Sequence, residues 1–515
     1  MKITASRTCL PRFAPAVPYL AIAAAAVAAD PGGISLGDAI TQTLASQPGI
    51  EISNQQVDQS RGLAQTAAGL FDWELGSTYS NQVARSPTGA PPPLIGVRRQ
   101  DTDTYSLELS KLFRNGISVT PTLSVVDYKD NYSQLTAASQ SNVGVQISIP
   151  LLRGLGARST DAQELAARES LRAQEQQSRY QIERLVFETA SAYWGCLAAK
   201  RNLDVLDDTE KLAEQLYQSV SVLAEAGEVD RGTLDQAHAQ LAAQQANTEQ
   251  GALTLFQSRQ ALATAMGFGP TRLQDAPVPS GDFPVVLKED ALGRALDEKY
   301  VFEALARRGD YLAAGINVSV QGILLEQARS NLKPTLDTQV QLGYSGYDSQ
   351  PSWLRPYYSL GRNLAGVNAL TSITLAWPIA NNAARGAYSS QRAVVEQAKL
   401  AEAQAANAIA SATLTALETL RRSIRQYVLA SEAVDTYSRA VKQAVERLKI
   451  GEATLTDLID IENNYSQARL LQNATLSEYA TTLAQLRLLT GTLTSEENRH
   501  VLFQVHTLTE LPFTH

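Results

Sequence analysis

Two stretches decide how this chain is read: QISIPLLRGLG at 146–156 and TLAWPIANNAARG at 374–386. Each begins as an alternating strand, turns at a proline (Pro150, Pro378) and opens a very long proline-free run, 157–226 in one case and 383–450 in the other. Each run ends near a glycine, Gly227 or Gly451, and forty residues further on stands another, Gly267 or Gly491. Pro150 to Gly227 is 77 residues, and Pro378 to Gly451 is 73. Between the halves lies GFGPTRLQDAPVPSGDFP, with Pro270, Pro277, Pro279 and Pro284, which is linker chemistry. A tandem duplication of about 225 residues accounts for the pattern. It divides the chain into a first repeat (30–269), a linker (270–287), a second repeat (288–492) and a tail (493–515).

The long runs read as helices. Val394, Ala398, Ala401, Ala405, Ala408 and Ala412 recur at steps of three and four, and the seam continues through Leu417, Leu420, Ile424 and Tyr427. That is coiled-coil spacing. A seam this rich in alanine lets neighbouring helices approach closely. At 1.5 Å per residue such a run makes a rod of roughly 100 Å.

The strands have a different period. Strands are expected at 71–79, 103–112, 117–127 and 142–149, with two more in the second half around 336–344 and 373–377. Ile117, Val119, Leu123 and Val125 alternate with Ser118, Thr120, Thr122 and Ser124, giving one apolar and one small polar face. A half-buried soluble sheet produces this pattern, and so does a membrane barrel with lipid outside and water inside. The barrel is favoured by aromatic residues towards strand ends (Trp73, Tyr79, Tyr105, Phe113, Tyr344, Trp377) and by a tight turn at Arg114-Asn115-Gly116 alternating with long loops. One chain has too few strands to close a wide barrel, so several copies must share one.

The N-terminus fits that compartment. Lys2, Arg7 and Arg12 precede an apolar run, Leu20–Ala29, with Ala26-Val27-Ala28 as a small-x-small cleavage signal, so residues 1–29 read as a secretory signal peptide. Its removal takes the net charge from −8 to about −11 and leaves Cys196 as the one cysteine. An acidic balance argues against nucleic acid as partner. Two cysteines and four scattered histidines leave little material for a metal site, and no catalytic constellation is apparent, so neither enzyme activity nor a cofactor is expected. His238 reads as a packed or solvated histidine and Cys196 as a small buried apolar residue.

Taken together, duplicated strand–long helix–glycine turn–helix units behind a signal sequence resemble the TolC family of outer membrane efflux proteins, across residues 34–492. The most specific pieces are the two stretches quoted first and the tip segments AGEVDRGTLDQAHAQL (226–241) and IGEATLTDLIDIENNY (450–465). The resemblance implies an α+β membrane protein. Three copies would pool their strands into one outer-membrane barrel, continuous with a helical barrel in the periplasm of a Gram-negative bacterium. It implies a passive exit duct working with a periplasmic adaptor protein and an inner-membrane transporter of the RND or ABC type, with outer-membrane lipid around the strands. A structural or adhesive coiled-coil surface protein is the alternative, although strands interrupt the helices in both halves.

By the same resemblance, Asp457 and Asp460 match two tip aspartates that form acidic rings at the tunnel mouth. A spacing of three puts them on one helix face, while Thr454 three before Asp457 equally fits a helix cap. This chain also departs from the family. The residues matching the family's tip lock are Leu448, Ala453 and Thr233, with Asp230 and Arg231 displaced nearby, so the closed tip must be held differently. The family default of two strands per half gives twelve in a trimer, whereas six per chain gives eighteen unless 103–127 forms a hairpin outside the wall. The tail ends in PFTH rather than in a barrel strand.

Overall fold

The computed structural model describes residues 33–87, 96–131, 137–288, 293–350, 352–450, 452–497, 500–503 and 508–513. The expected signal peptide, residues 1–29, and Gly451 lie outside the described residues. The elements run α1 (Leu36–Ser46), α2 (Pro48–Gly69), β1 (Trp73–Pro87), β2 (Val97–Leu112), β3 (Ser118–Asp130), β4 (Ala137–Pro150), α3 (Ala157–Thr160), α4 (Ala162–Glu225) and α5 (Arg231–Ala265). They continue α6 (Asp297–Arg307), α7 (Gly309–Ser330), β5 (Thr335–Asp348), α8 (Arg355–Tyr358), β6 (Val367–Ala376), α9 (Asn382–Lys449), α10 (Leu455–Leu489), β7 (Thr494–Glu497) and β8 (His500–Phe503). The fold therefore combines long helices with an antiparallel sheet. Helix α4 has 64 residues and α9 has 68, close to the two proline-free runs. No helix among the described residues is long and apolar enough to cross a membrane.

The chain divides into two units. One comprises Ser53–Arg179 and Gly309–Ala408 and holds a six-stranded meander in the order β1-β2-β3-β4-β5-β6, every pair antiparallel. Strands β2 and β3 sit in mid-sheet, so the segment 103–127 is not a hairpin set apart from it. The strands also run further than expected at their outer ends, and Phe71 is a correction. It precedes β1, is buried, and lies 4.8 Å under the Arg114 guanidinium, where Arg114 pairs with Glu164. Glycine is required at the β2–β3 turn, because Gly116 has a φ of +92° and an added Cβ would come within 2.2 Å of the Gly154 carbonyl oxygen.

The register sorts side chains into rows. On one face Ser77–Leu107–Leu123–Val143–Tyr344–Val367 cross all six strands, and Trp73–Lys111–Val119–Ile147–Val340–Thr371 lie nearer the helices. Above them comes Tyr79–Tyr105–Val125–Ser141–Gly346, with the two tyrosine rings 5.1 Å apart, and then a wholly polar row, Asn81–Asp103–Asp127–Ser139–Asp348. The opposite face is small and hydrophilic, as in Thr78–Ser106–Ser124–Asn142–Ser345.

Each aspartate of the polar row has a partner. The Tyr79 hydroxyl and the Asn81 amide donate to Asp103 at 2.9 and 2.8 Å, and Arg362 meets Asp348 at 3.3 Å. Arg355 of α8 donates to Asp127 at 3.3 and 3.4 Å with both side chains buried, and Ser139 donates to the same carboxylate. The Ser141 hydroxyl donates to the Ser359 carbonyl at 2.7 Å, so the β5–β6 connection is fastened along the top of the apolar face.

The second unit comprises the described residues up to Ile52, Tyr180–Arg308 and Ile409 onward. One core gathers Ile40, Val186, Tyr193, Trp194, Cys196, Leu262 and Met266, with Ala480 and Ala484 of α10. The buried alanines let α10 close in, and burial pushes the Cys196 thiol up from its usual range. A second core joins Leu417, Leu420 and Ile424 of the expected seam to Tyr479, Leu483 and Leu486. The linker is not loose. Ile34 bonds Val278 and Ser280 through backbone groups at 2.9 Å, and Ala276 and Phe283 are buried. The tail likewise folds back, with β7 and β8 paired as a separate hairpin. Arg487 donates to the carbonyls of Glu510 and Leu511, and the Tyr300 hydroxyl to that of Pro512 at 2.8 Å.

Asp127→Ala should leave the Arg355 guanidinium buried without its anion, a defect on the order of 3–5 kcal/mol. The expected outcome is release of the β5–β6 connection, read as new trypsin cleavage after Arg362 in the otherwise intact protein. Unchanged cleavage would mean that backbone contacts alone hold this segment.

Candidate functional site at the helical tip

The two turns that reverse the long hairpins are built alike. At the first, Gly227 takes a φ of +77°, and the Glu228 amide reaches back to the Leu223 carbonyl at 2.9 Å. At the second, the Glu452 amide reaches the Arg447 carbonyl at 2.9 Å. These bonds satisfy carbonyls that a helix end leaves without partners. Each following helix is then capped by a short polar side chain. Asp230 accepts from the Thr233 amide at 3.1 Å and starts α5. Thr454 accepts from the Asp457 amide at 3.2 Å while Asp457 accepts from the Thr454 amide at 3.0 Å, a reciprocal capping box that starts α10. The Thr233 and Thr454 donors hold the Asp230 and Asp457 carboxyls below the usual carboxylate range.

The turns pack together through Val220, Ala237, Leu455 and Ile459, with Leu216, Tyr217, Val229 and Leu234 around them. Beside this small core runs a ladder of amides. Gln236 donates to the Thr456 hydroxyl at 3.2 Å, and Gln240 and Gln244 donate to the Asn463 side-chain oxygen at 3.2 and 3.3 Å. Further along, α10 meets α4 through Ser466 and Thr209, Arg469 and Asp208, and Asn473 and Asn202, at 3.3, 3.0 and 3.0 Å. His238 lies against Tyr217 with ring centres 5.4 Å apart and the rings tilted by 42°.

Asp457 and Asp460 are both exposed on α10, away from the buried Leu455, Leu458 and Ile459. Asp230 is engaged in its cap with Thr233. The amide ladder joins α5 to α10 within the chain. At the other ends of the long helices, Pro150 is the buried last residue of β4, packed near Gly116, while Pro378 is exposed between β6 and α9.

Sequence reasoning missed Glu462. Its side chain is buried, one carboxyl oxygen has no hydrogen-bond partner, and burial pushes its pKa up to about 7. The signal was present. Leu455, Leu458, Glu462 and Ser466 follow steps of three and four, the spacing of one helix stripe, with Ile459 beside them.

The family model for outer membrane efflux proteins matches residues 120–268 and 301–492. The chain belongs to the outer membrane efflux protein family. No curated protein sequence matches it. Among solved structures, the Campylobacter jejuni outer membrane channel CmeC is similar at 15% identity and a TM-score of 0.66, covering 89% of this chain and 85% of that one. The Vibrio cholerae outer membrane protein VceC is similar at 16% identity and 0.64, covering 88% and 96%. The open state of the Neisseria gonorrhoeae MtrE channel is similar at 17% and 0.63, covering 89% of each. At these identities the likeness is one of fold, and it spans nearly the whole chain. As a member of this family the protein belongs among the outer membrane efflux channels. Strands β1 and β2 precede residue 120 and lie outside the family match.

The raised pKa of Glu462 has a definite sign. The folded tip binds this proton more tightly than the unfolded chain does, so tip stability should fall as pH rises from about 4.5 to about 7 and then level off. The expected loss is on the order of 1–3 kcal/mol. Hydrogen exchange of α10 amides, corrected for intrinsic rate, should show this loosening, and Glu462→Gln should abolish the slope. An equal slope in the variant would assign it to another group.

Proposed function

We propose that three copies of this chain form a passive exit duct through the outer membrane. The observation that carries this reading is the sheet of this efflux-family protein. Its apolar face is bounded above by a tyrosine pair and a row of paired aspartates, its other face is small and polar, and the pattern holds strand after strand. Outer-membrane lipid faces the apolar side and water the polar side. The duplicated halves then supply strands to one shared barrel, and α4, α5, α9 and α10 supply a helical tunnel in the periplasm. The tip is the end offered to a periplasmic adaptor, and an inner-membrane transporter of the RND or ABC type drives cargo into it. The basic and apolar N-terminus serves as the export signal.

In this reading Asp457 and Asp460 of three copies place six carboxylates around the tunnel mouth. Such rings attract cations and repel anions. Asp457→Ala with Asp460→Ala should raise single-channel conductance in planar bilayers and weaken block by divalent cations. Thr454→Ser keeps both the capping hydroxyl and the charge, and should leave the block in place. If the double variant changes neither conductance nor block, the aspartates act only at the helix start. Co-purification of the native complex tests the partners, because an ATP-driven exporter points to secretion and a proton-driven pump to small-molecule efflux.

A further inference from the structure

From the two free edges of the sheet, we infer that the barrel is an eighteen-stranded wall whose copy-to-copy seam joins β6 of one protomer to β1 of the next. This rests on the trimeric duct proposed above and extends it. Strand β6 presents ten residues, VNALTSITLA, without a charge or a proline, and nearly all are exposed. Strand β1 is exposed along almost its whole length of 15 residues. A long uncharged edge of this kind is a template for another strand, and an edge left open in lipid leaves backbone groups without partners. Six strands per chain also fall short of the eight in the smallest outer-membrane barrels.

Both edges fit a second copy of this chain and fit each other. The meander alternates direction through six strands, so β1 and β6 run oppositely and a head-to-tail seam is antiparallel. Membrane-oriented copies joined β6 to β6 would instead pair in parallel and throw the apolar face of one copy to the water side. The β6–β1 seam keeps the apolar face continuous. Leu75 and Tyr79 on one edge meet a neighbour carrying Val367, Ile373 and Leu375, and all five side chains are exposed within the single chain. Trp73 opens β1 and Trp377 directly follows β6, both at the helix-proximal end, where an aromatic girdle would cross the seam.

Strands β1 and β2 lie before the family match, which begins within β3, and six strands per copy make the wall one hairpin per copy wider than a twelve-stranded one. Barrel diameter grows roughly linearly with strand number, so eighteen strands give a bore about half again that of twelve.

Electron cryo-microscopy of the full-length protein in lipid nanodiscs tests this directly. The expected result is one wall of eighteen strands with β1 beside the next copy's β6. A trimer with a twelve-stranded wall and β1 and β2 outside it overturns the inference while leaving the duct intact. A protein that forms no ring of copies overturns the duct reading itself. Paired cysteines give an independent readout, one placed between Leu75 and Tyr79 and the other between Val367 and Ile373. They should yield oxidant-dependent linked trimers, whereas linkage of β6 cysteines to cysteines between Val119 and Val125 instead would put β3 at the seam.

Discussion

A strand offers its two faces with a period of two, and that constraint governs this structure. A slip of one residue in any of the five pairings would turn the apolar residues of the displaced strand to the polar side. The pairing therefore has to be specified at both ends. At the helix-proximal end the Phe113–Ile117 turn does so, with Gly116 lying so close to the Gly154 carbonyl that no side chain fits. At the other end the Asp127–Arg355 pair and the Ser141–Ser359 bond fasten a loop to particular rows. Buried ion pairs are weak sources of net stability but costly to break. That suits a device whose job is to fix position.

The helices solve a different problem with different residues. Long hairpins have few opportunities for a broad apolar core, and their seams are built from alanine, with Leu417, Leu420 and Leu483 concentrated where Tyr300 and the folded-back tail add cover. Toward the tip the apolar core thins to Val220, Ala237, Leu455 and Ile459, and amide–amide and amide–hydroxyl bonds run beside it. Exposed or half-exposed bonds of this kind contribute only about 1 kcal/mol each. A tip held so lightly, with one carboxyl oxygen of Glu462 unpartnered in its packing, has the few buried apolar contacts of a segment that opens locally.

Much of this was legible in sequence because the signals were periodic. Alternation revealed the six strands of the large sheet but not the β7–β8 hairpin of the tail, and the proline-free runs gave α4 and α9 to within a few residues. Where side chains turned polar, as at Asn81, Gln82 and Arg85, the pattern gave no sign that β1 continues. The aromatic at Phe71 looked like part of a strand but belongs beneath Arg114, since a ring satisfies either environment. The docking of Leu511 and Pro512 onto Tyr300 and Arg487 depends on contacts about 200 residues apart along the chain in the case of Tyr300, which no local pattern encodes. Glu462 was missed because a glutamate reads as solvated until the whole stripe is traced.

The capping box at Asp457 bears on how the proposed acidic mouth could work at all. Six carboxylates gathered at one constriction raise one another's pKa, and crowding alone would drive some of them neutral. Asp457 accepts hydrogen bonds from the Thr454 amide and hydroxyl, at 3.0 and 2.7 Å, and these hold its carboxyl below the usual range. The positive end of the α10 dipole acts in the same direction. A cap and a charged ring are thus compatible roles for one residue, because the bonds that start the helix are the ones that keep the carboxylate ionised when copies converge. Asp460 lies one turn further along the exposed face and makes no such cap, so the two carboxylates of one chain differ in how firmly they are held in place.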